Sequence, residues 1–206
     1  MAELPRCRVA TWRDIDRWAD AVAGKIRASA RIPQAIVALT RGGWVHARLL
    51  ADRLGVKRLI ALQAAHWGVT ATPSGRAELT ESIAVPVAGL NVLVADDITD
   101  TGESLALATA HVRERGPERV ETATLLHIAH SALRPDYFAE EIPADSWAWV
   151  VFPWNYWEDL RTLAPQALAV GGNPTEALRV LRERCGLSVP RRQFDRAIRE
   201  AGSRPT

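Results

Sequence analysis

The stretch Val92-Leu93-Val94-Ala95-Asp96-Asp97-Ile98-Thr99-Asp100-Thr101-Gly102-Glu103-Ser104-Leu105 decides the fold of this chain. An apolar run suited to a strand buried on both faces ends in two carboxylates, and a Thr-Gly turn then opens a helix. This order has a chemical use. Backbone N–H groups of Asp100 to Ser104, with the hydroxyls of Thr101 and Ser104, are the donors that surround a phosphate at a helix N-terminus, where the helix dipole favours negative charge. Gly102 permits close backbone approach. Asp96 and Asp97 at the strand end can accept hydrogen bonds from the two hydroxyls of a ribose. Strand-end acids beside an ordinary helix cap would use the same residue types, so composition alone leaves both readings open.

Outward from this stretch, strands and helices alternate. Trp12 to Ala28 carries Ile15, Trp18, Ala19, Val22 and Ile26 at helical spacing, with Thr11 as N-cap. Ala35 to Leu39 reads as a buried strand, Thr40-Arg41-Gly42-Gly43 as a turn, and Trp44 to Leu54 as a helix stopped by Gly55. Leu59 to Leu62 is a second strand, and Gln63 to Pro86 a long connection, the expected flap or loose hairpin. Asn91 to Ala95 makes the third strand, Gly102 to Arg115 a helix, and Val120 to His127 the fourth strand. Such alternation predicts an α/β fold on a parallel sheet. Ser146 to Phe152 reads as an aromatic-rich strand, Tyr156 to Leu163 as helical, and two short helices follow Gly171-Gly172, the first with Asn173 as N-cap, Pro174 at its first position and Gly186 as C-cap.

Composition narrows the classes of function. The 206 residues are 48% hydrophobic, enough to bury one main core, and 26 basic against 24 acidic residues give no overall field for nucleic acid or membrane. Cys7 and Cys185 are too few for a disulfide framework or metal cluster and suit a reducing cytoplasm. Residues 1–12 lack the apolar run of a signal peptide, and no segment reaches the ~18 apolar residues of a membrane span. Lys occurs only at positions 25 and 57, which removes nearly every candidate for a catalytic lysine.

The central stretch resembles the signature of the type I phosphoribosyltransferases: an apolar strand, two acidic residues, two spacers, then Asp-Thr-Gly-x-Ser. Thr40-Arg41-Gly42-Gly43-Trp44-Val45-His46-Ala47 looks like the pyrophosphate loop and helix of xanthine-guanine and other 6-oxopurine enzymes of that family. Ile142-Pro143-Ala144-Asp145-Ser146-Trp147 and Trp149-Val150-Val151-Phe152-Pro153-Trp154-Asn155 look like its purine-covering segment. The match is colinear over about residues 34 to 160. It implies a phosphoribosyltransferase domain over 1–170, with the flap at 63–86 and a hood and base-covering segment at 128–160, followed by a C-terminal helical extension over 171–206.

The resemblance also implies a reaction. Phosphoribosyl pyrophosphate (PRPP) would be bound by Arg41, Gly42, Gly43, Asp96, Asp97, Asp100, Thr101, Gly102, Glu103 and Ser104. Asp100 would serve as the catalytic acid or base toward a xanthine, guanine or hypoxanthine ring. Mg²⁺ would be associated with Asp96, Asp97 and, through water, Asn155. The products would be a nucleoside 5′-monophosphate and pyrophosphate, in purine salvage. Trp147 or Trp149 would stack on the base, depending on which motif anchors the alignment, and the backbone of Val150 would read its edge.

Two positions depart from the family pattern. The lysine that donates to the base oxygen falls at His127 or Ile128, leaving His127 or His130 as substitutes. Asn155 stands where a metal-associated carboxylate is usual, with Glu158 and Asp159 nearby. These departures motivate an alternative, a PRPP- or nucleotide-binding regulator whose tail touches nucleic acid. The tail carries eight arginines (179, 182, 184, 191, 192, 196, 199 and 204) against four acids (176, 183, 195 and 200). An excess of eight minus four on two short helices favours packing, or assembly into a dimer or tetramer, over a nucleic-acid reader.

Overall fold

The computed structural model describes residues 4–66, 77–79, 83 and 85–202. They separate into two compact units, one running Arg13–Ser146, the other made of the end segments up to Trp12 and from Trp147 onward. Of the expected flap, residues 67–76, 80–82 and 84 lie outside the described residues.

The larger unit follows the alternation of the sequence. Helix α1 (Trp12–Ala28) buries Ile15, Trp18, Ala19, Val22, Ala23 and Ile26 along one stripe, the three-and-four spacing that turns one face to a core. Strand β2 (Ala35–Thr40) leads to α2 (Gly42–Leu54), which ends on Gly55 in the left-handed conformation. Strand β3 (Leu59–His66) pairs antiparallel with the short β4 (Ala77–Leu79). Strand β5 (Asn91–Ala95) is followed by the two-residue β6 (Ile98–Thr99), α3 (Glu103–Arg113) and β7 (Arg119–Ile128).

Strands run in the order β4-β3-β2-β5-β7, with β7 paired to both β6 and a further strand, β8 (Tyr137–Ile142). All pairings except β3 with β4 are parallel. Ala35 to Leu39 and Val92 to Ala95 are almost wholly excluded from solvent, as central strands covered on both faces must be.

Strand β8 falls in a stretch of the expected hood to which the sequence pattern assigns no strand. Its sequence, Tyr-Phe-Ala-Glu-Glu-Ile, has too many carboxylates to look like a strand, but it lies at a sheet edge, where charge blocks pairing with another chain. Tertiary contacts hold it. Trp18 Nε1 donates to Glu140 at 3.2 Å, Lys25 donates to the Phe138 carbonyl at 2.5 Å, and the Tyr137 hydroxyl donates to Glu121 at 3.1 Å and lies 3.0 Å from Ser29 Oγ.

In the smaller unit, β1 (Cys7–Val9) pairs in parallel with β9 (Trp149–Val151). Helices α4 (Tyr156–Gly171), α5 (Pro174–Cys185) and α6 (Arg191–Ala201) bury Leu160, Leu163, Leu181 and Phe194 in a shared core. The Asn173 side chain accepts from the N–H groups of Thr175 and Glu176, and Gly186 closes α5 in the left-handed region, as the sequence predicts. The expected strand from Ser146 starts later, at Trp149, because Ala144–Ser146 forms a 3-10 turn after Pro143.

Leu93 sits at the middle of β5 and is 1% exposed among the side chains of α1, α2 and β2. Leu93→Ala is expected to lower unfolding free energy by about 2–5 kcal/mol, measured by urea denaturation.

Candidate functional site

The chain leaves β2 through α2 to β3 on one side, and leaves β5 through α3 to β7 on the other. Strands β2 and β5 are neighbours, Ala38 opposite Ala95. Their carboxyl ends therefore lie at a topological switch point, where an open parallel sheet leaves a crevice for ligands. Thr40-Arg41-Gly42-Gly43 emerges on one side of that point and Asp96-Asp97 on the other.

The two segments touch so closely that side chains are excluded between them. A Cβ on Gly42 would stand 2.1 Å from Asp97 Oδ2, and a Cβ on Gly43 2.5 Å from the Ala95 carbonyl oxygen and 2.7 Å from Asp96 Cα. The Thr40–Arg41 peptide is cis. Arg41 is exposed at the N-cap position of α2.

The acidic pair sits at an interruption of the ladder. Asp96 N donates to the Ala123 carbonyl at 3.0 Å, but the single carbonyl of Asp97 accepts from both Leu125 and Leu126, at 3.0 and 3.2 Å. Pairing then resumes as β6. The interruption breaks strict strand alternation, so Asp97 is 7% exposed while its neighbour Asp96 is also partly covered. Burial, then the adjacent Asp97 charge, hold the Asp96 carboxyl well above its ordinary range, while the backbone N–H groups of Asp97 and Gly43 pull it down.

Beneath Asp96 lies His46, fully buried, its Nδ1 2.8 Å from the Asp96 carbonyl oxygen. A carbonyl only accepts, so Nδ1 carries the hydrogen. Nε2 is buried with no hydrogen-bond partner among the described residues. Burial pushes the imidazole down to about 4, opposed by the bond to Asp96 and assisted by the Arg53 charge. No role for His46 follows from the motif that contains it. The signal was available, because Gly43, His46, Ala47, Leu50 and Ala51 form one inward helical face.

Past β6, the loop Asp100-Thr101-Gly102 leads into α3. Gly102 has φ +86°, and a Cβ there would meet Ser131 Oγ at 2.6 Å and Leu133 N at 2.9 Å. Thr101 Oγ1 accepts from Glu103 N at 3.4 Å. Asp100, Thr101, Glu103 and Ser104 all retain exposure at the amino end of α3. His130 Nε2 is 2.9 Å from Asp100 Oδ1.

The two histidines named for the base differ sharply in placement. His127 is 2% exposed, its ring 5.1 Å from Phe138 and its Nε2 4.0 Å from Glu141 Oε2. Burial holds its pKa below the ordinary value, so the ring is neutral at neutral pH. His130 stands in the open turn after β7.

In the smaller unit, the Trp149 indole N–H donates to the buried Asp159 at 3.0 Å, and Trp149 packs against the helical core. Trp147 precedes β9, so the strand alternation expected to align it with Trp149 does not reach it. Val150 is 7% exposed and paired with Arg8. Asn155 occupies the N-cap of α4, where its carbonyl accepts from Asp159 N at 2.9 Å. Phe152 and Trp154 stack at 4.8 Å.

The family model described as the phosphoribosyl transferase domain matches residues 10–159. A purine phosphoribosyltransferase from Pyrococcus horikoshii is similar over 72% of this chain and 93% of that one, with 26% identity and TM-score 0.63. The xanthine-guanine-hypoxanthine phosphoribosyltransferase of Helicobacter pylori matches in fold, with 18% identity, 76% and 99% coverage and TM-score 0.58. A Neisseria gonorrhoeae protein solved with bound ppGpp also shares the fold, at 21% identity, 75% and 92% coverage and TM-score 0.64.

Two stability measurements follow. The added methyl of Gly43→Ala meets backbone rather than a movable side chain, so the variant is expected to lose about 1–3 kcal/mol in urea melts. For His46, the folded protein binds fewer protons than the unfolded chain between the ordinary value of 6.5 and about 4. Stability contributed by the neutral ring is therefore present above that window and falls by ~3 kcal/mol as pH drops through it. Denaturation from pH 7 to pH 4 should show a steeper loss in wild type than in His46→Leu.

Proposed function

Because the chain belongs to the phosphoribosyl transferase domain family and is an enzyme of that class, we propose that it joins the phosphoribosyl group of PRPP to a purine base. The products are a nucleoside 5′-monophosphate and pyrophosphate. The observation that carries the reading is the acidic pair at the switch point, with the Gly42-Gly43 strap against one side and the Asp100-Thr101-Gly102 loop following it. The resemblance to a purine phosphoribosyltransferase at 26% identity supports the choice of acceptor class.

Asp96 and Asp97 accept from the ribose hydroxyls, and the N–H groups at the start of α3, with Thr101 and Ser104, hold the 5′-phosphate. Glu103, exposed in the first turn of α3, completes the proposed PRPP contacts. The carboxylate of Asp96 draws on the Gly43 N–H, which leaves Arg41 and Gly42 to face the leaving pyrophosphate. The ring nitrogen's electron pair forms the bond to C1′ as the C1′–O pair departs with pyrophosphate. The proton lost by the base passes to Asp100. Alignment and charge neutralisation, rather than a protein nucleophile, lower the barrier.

The donor set fits Mg²⁺. Among the described residues no three His, Cys, Asp or Glu side chains cluster as a metal cage, and Mg²⁺ prefers one or two carboxylates with water and substrate oxygens. Asp96 and Asp97 would hold it, and the charge repulsion that raises Asp96 is relieved by a cation. When bound, the ion neutralises pyrophosphate charge. On the sequence pattern alone, Trp147, Trp149, Val150 and His127 are proposed as base contacts, and Asn155 as a partner of a metal-bound water. Purine salvage, a cytoplasmic location and assembly as a homo-oligomer belong to the same proposal. No helix among the described residues is long and apolar enough to cross a membrane.

The regulatory alternative gains little from the tail. Arg179 pairs with Glu176 and Glu183, Arg191 with Asp195, and Arg196 with Glu200, so three of its eight arginines are matched within its own helices.

Incubation with PRPP, Mg²⁺ and each purine and pyrimidine base should release pyrophosphate with a 6-oxopurine. Asp100→Ala should lower kcat roughly 100-fold or more while PRPP binding persists in calorimetry. PRPP binding without turnover of any base would reject the enzyme reading in favour of a regulator.

A further inference from the structure

The contact between Asp100 and His130 joins residues thirty positions apart in sequence, both well exposed at 41% and 42%. An exposed pair on two independent loops would contribute little, because holding both side chains in one geometry costs entropy. These loops are not independent. Ala132 N donates to the Thr101 carbonyl at 3.1 Å, and Ser131 N donates to the Ile128 carbonyl at 3.0 Å, closing the turn that carries His130. Ser131 Oγ donates to the Leu133 carbonyl at 3.0 Å. The same turn fills the space where a side chain at position 102 would lie, with Ser131 Oγ 2.6 Å from that point. Backbone contacts therefore bring the imidazole to the carboxylate before any substrate arrives.

We propose that His130 is a positioning residue for Asp100: its Nε2–H donates to Oδ1 and fixes the carboxylate in the orientation that receives the base proton. This rests on the reading of Asp100 as proton acceptor. A carboxylate has about four lone-pair sites, so one occupied by His130 leaves others for the base. In the reaction the proton moves from the base to Asp100, and His130 neither gains nor loses one. The neighbouring His127 is too buried for this part, and neither loop contains a lysine.

The test is a double-mutant cycle on the full chain, with PRPP, Mg²⁺ and the base giving the highest turnover. A hydrogen bond to a charged group predicts that His130→Ala lowers kcat about 10- to 100-fold, with the KM for PRPP unchanged. His130→Gln keeps an N–H donor and should recover most of the loss. In an Asp100→Ala background, His130→Ala should change kcat less than about twofold, because the partner through which it acts is gone. Nitrogen-15 NMR of the histidine rings should show His130 protonated at Nε2 in wild type, with that signature altered in Asp100→Ala.

An unchanged kcat in His130→Ala, an equal loss in the Gln variant, or an additive loss in the double variant would each overturn the assignment while leaving the enzyme reading intact. Wild type that turns over no base would instead overturn the enzyme reading and, with it, the role of His130. The NMR signature would still report whether the contact exists in solution.

Discussion

The first turn of α2 lies directly on the carboxyl end of β5, with no room for a side chain at Gly42 or Gly43. That contact sets the distance between the strap after β2 and the acidic pair after β5. It is possible only because β2 and β5 are adjacent and parallel, so that both chain ends point to the same side of the sheet. A Cβ at Gly43 would meet the backbone of Ala95 and Asp96 and push the strap off the strand, whereas one at Gly42 would meet the Asp97 carboxylate. His46 completes the arrangement from below by donating to the Asp96 carbonyl, using a ring kept neutral by burial.

The electrostatics of the crevice follow from the same geometry. Two neighbouring carboxylates at a break in the ladder repel one another and lose hydration, and both effects raise Asp96. The partners proposed for this pair, hydroxyl donors from a sugar and a divalent cation, would reward the charged form. In the proposed binding of PRPP the positive contribution would come from Arg41 and from backbone N–H groups, the latter carrying no titratable charge and costing no rotamer entropy. This suits a chain with lysine at only two positions. Across the crevice, Asp100 is held by a turn fastened through backbone bonds, so the carboxylate assigned to proton transfer is set apart from the carboxylates assigned to the sugar.

In the smaller unit, Trp149 has a packing role beside the base contact proposed for it. Trp149 sits in an aromatic-rich segment matching the base-covering part of the family, yet its indole N–H is satisfied by Asp159 and its ring packs on the helical core. A tryptophan offers both a large apolar surface and one donor, so core burial with a single polar partner suits it. The terminal helices α5 and α6 join α4 and the β1–β9 pair in one core, and Arg179, Arg191 and Arg196 form intrahelical ion pairs.

Taken alone, the sequence determined the alternating α/β order, the buried central strands, the caps at Asn173 and Gly186, and the acidic and Gly-containing loops of the family signature. These depend on local spacing and backbone preference, which residues a few positions apart are sufficient to specify. It could not determine the edge strand β8, which Trp18, Lys25 and Ser29 reach at Glu140, Phe138 and Tyr137 and where Arg134 pairs with Glu141. Nor could it show that His127, inside β7, faces inward while His130, in the turn that follows, meets Asp100, since that depends on which segments pack against each. The tertiary structure decided those matters because they rest on contacts between segments far apart in the chain, where spacing along the sequence carries no information about distance.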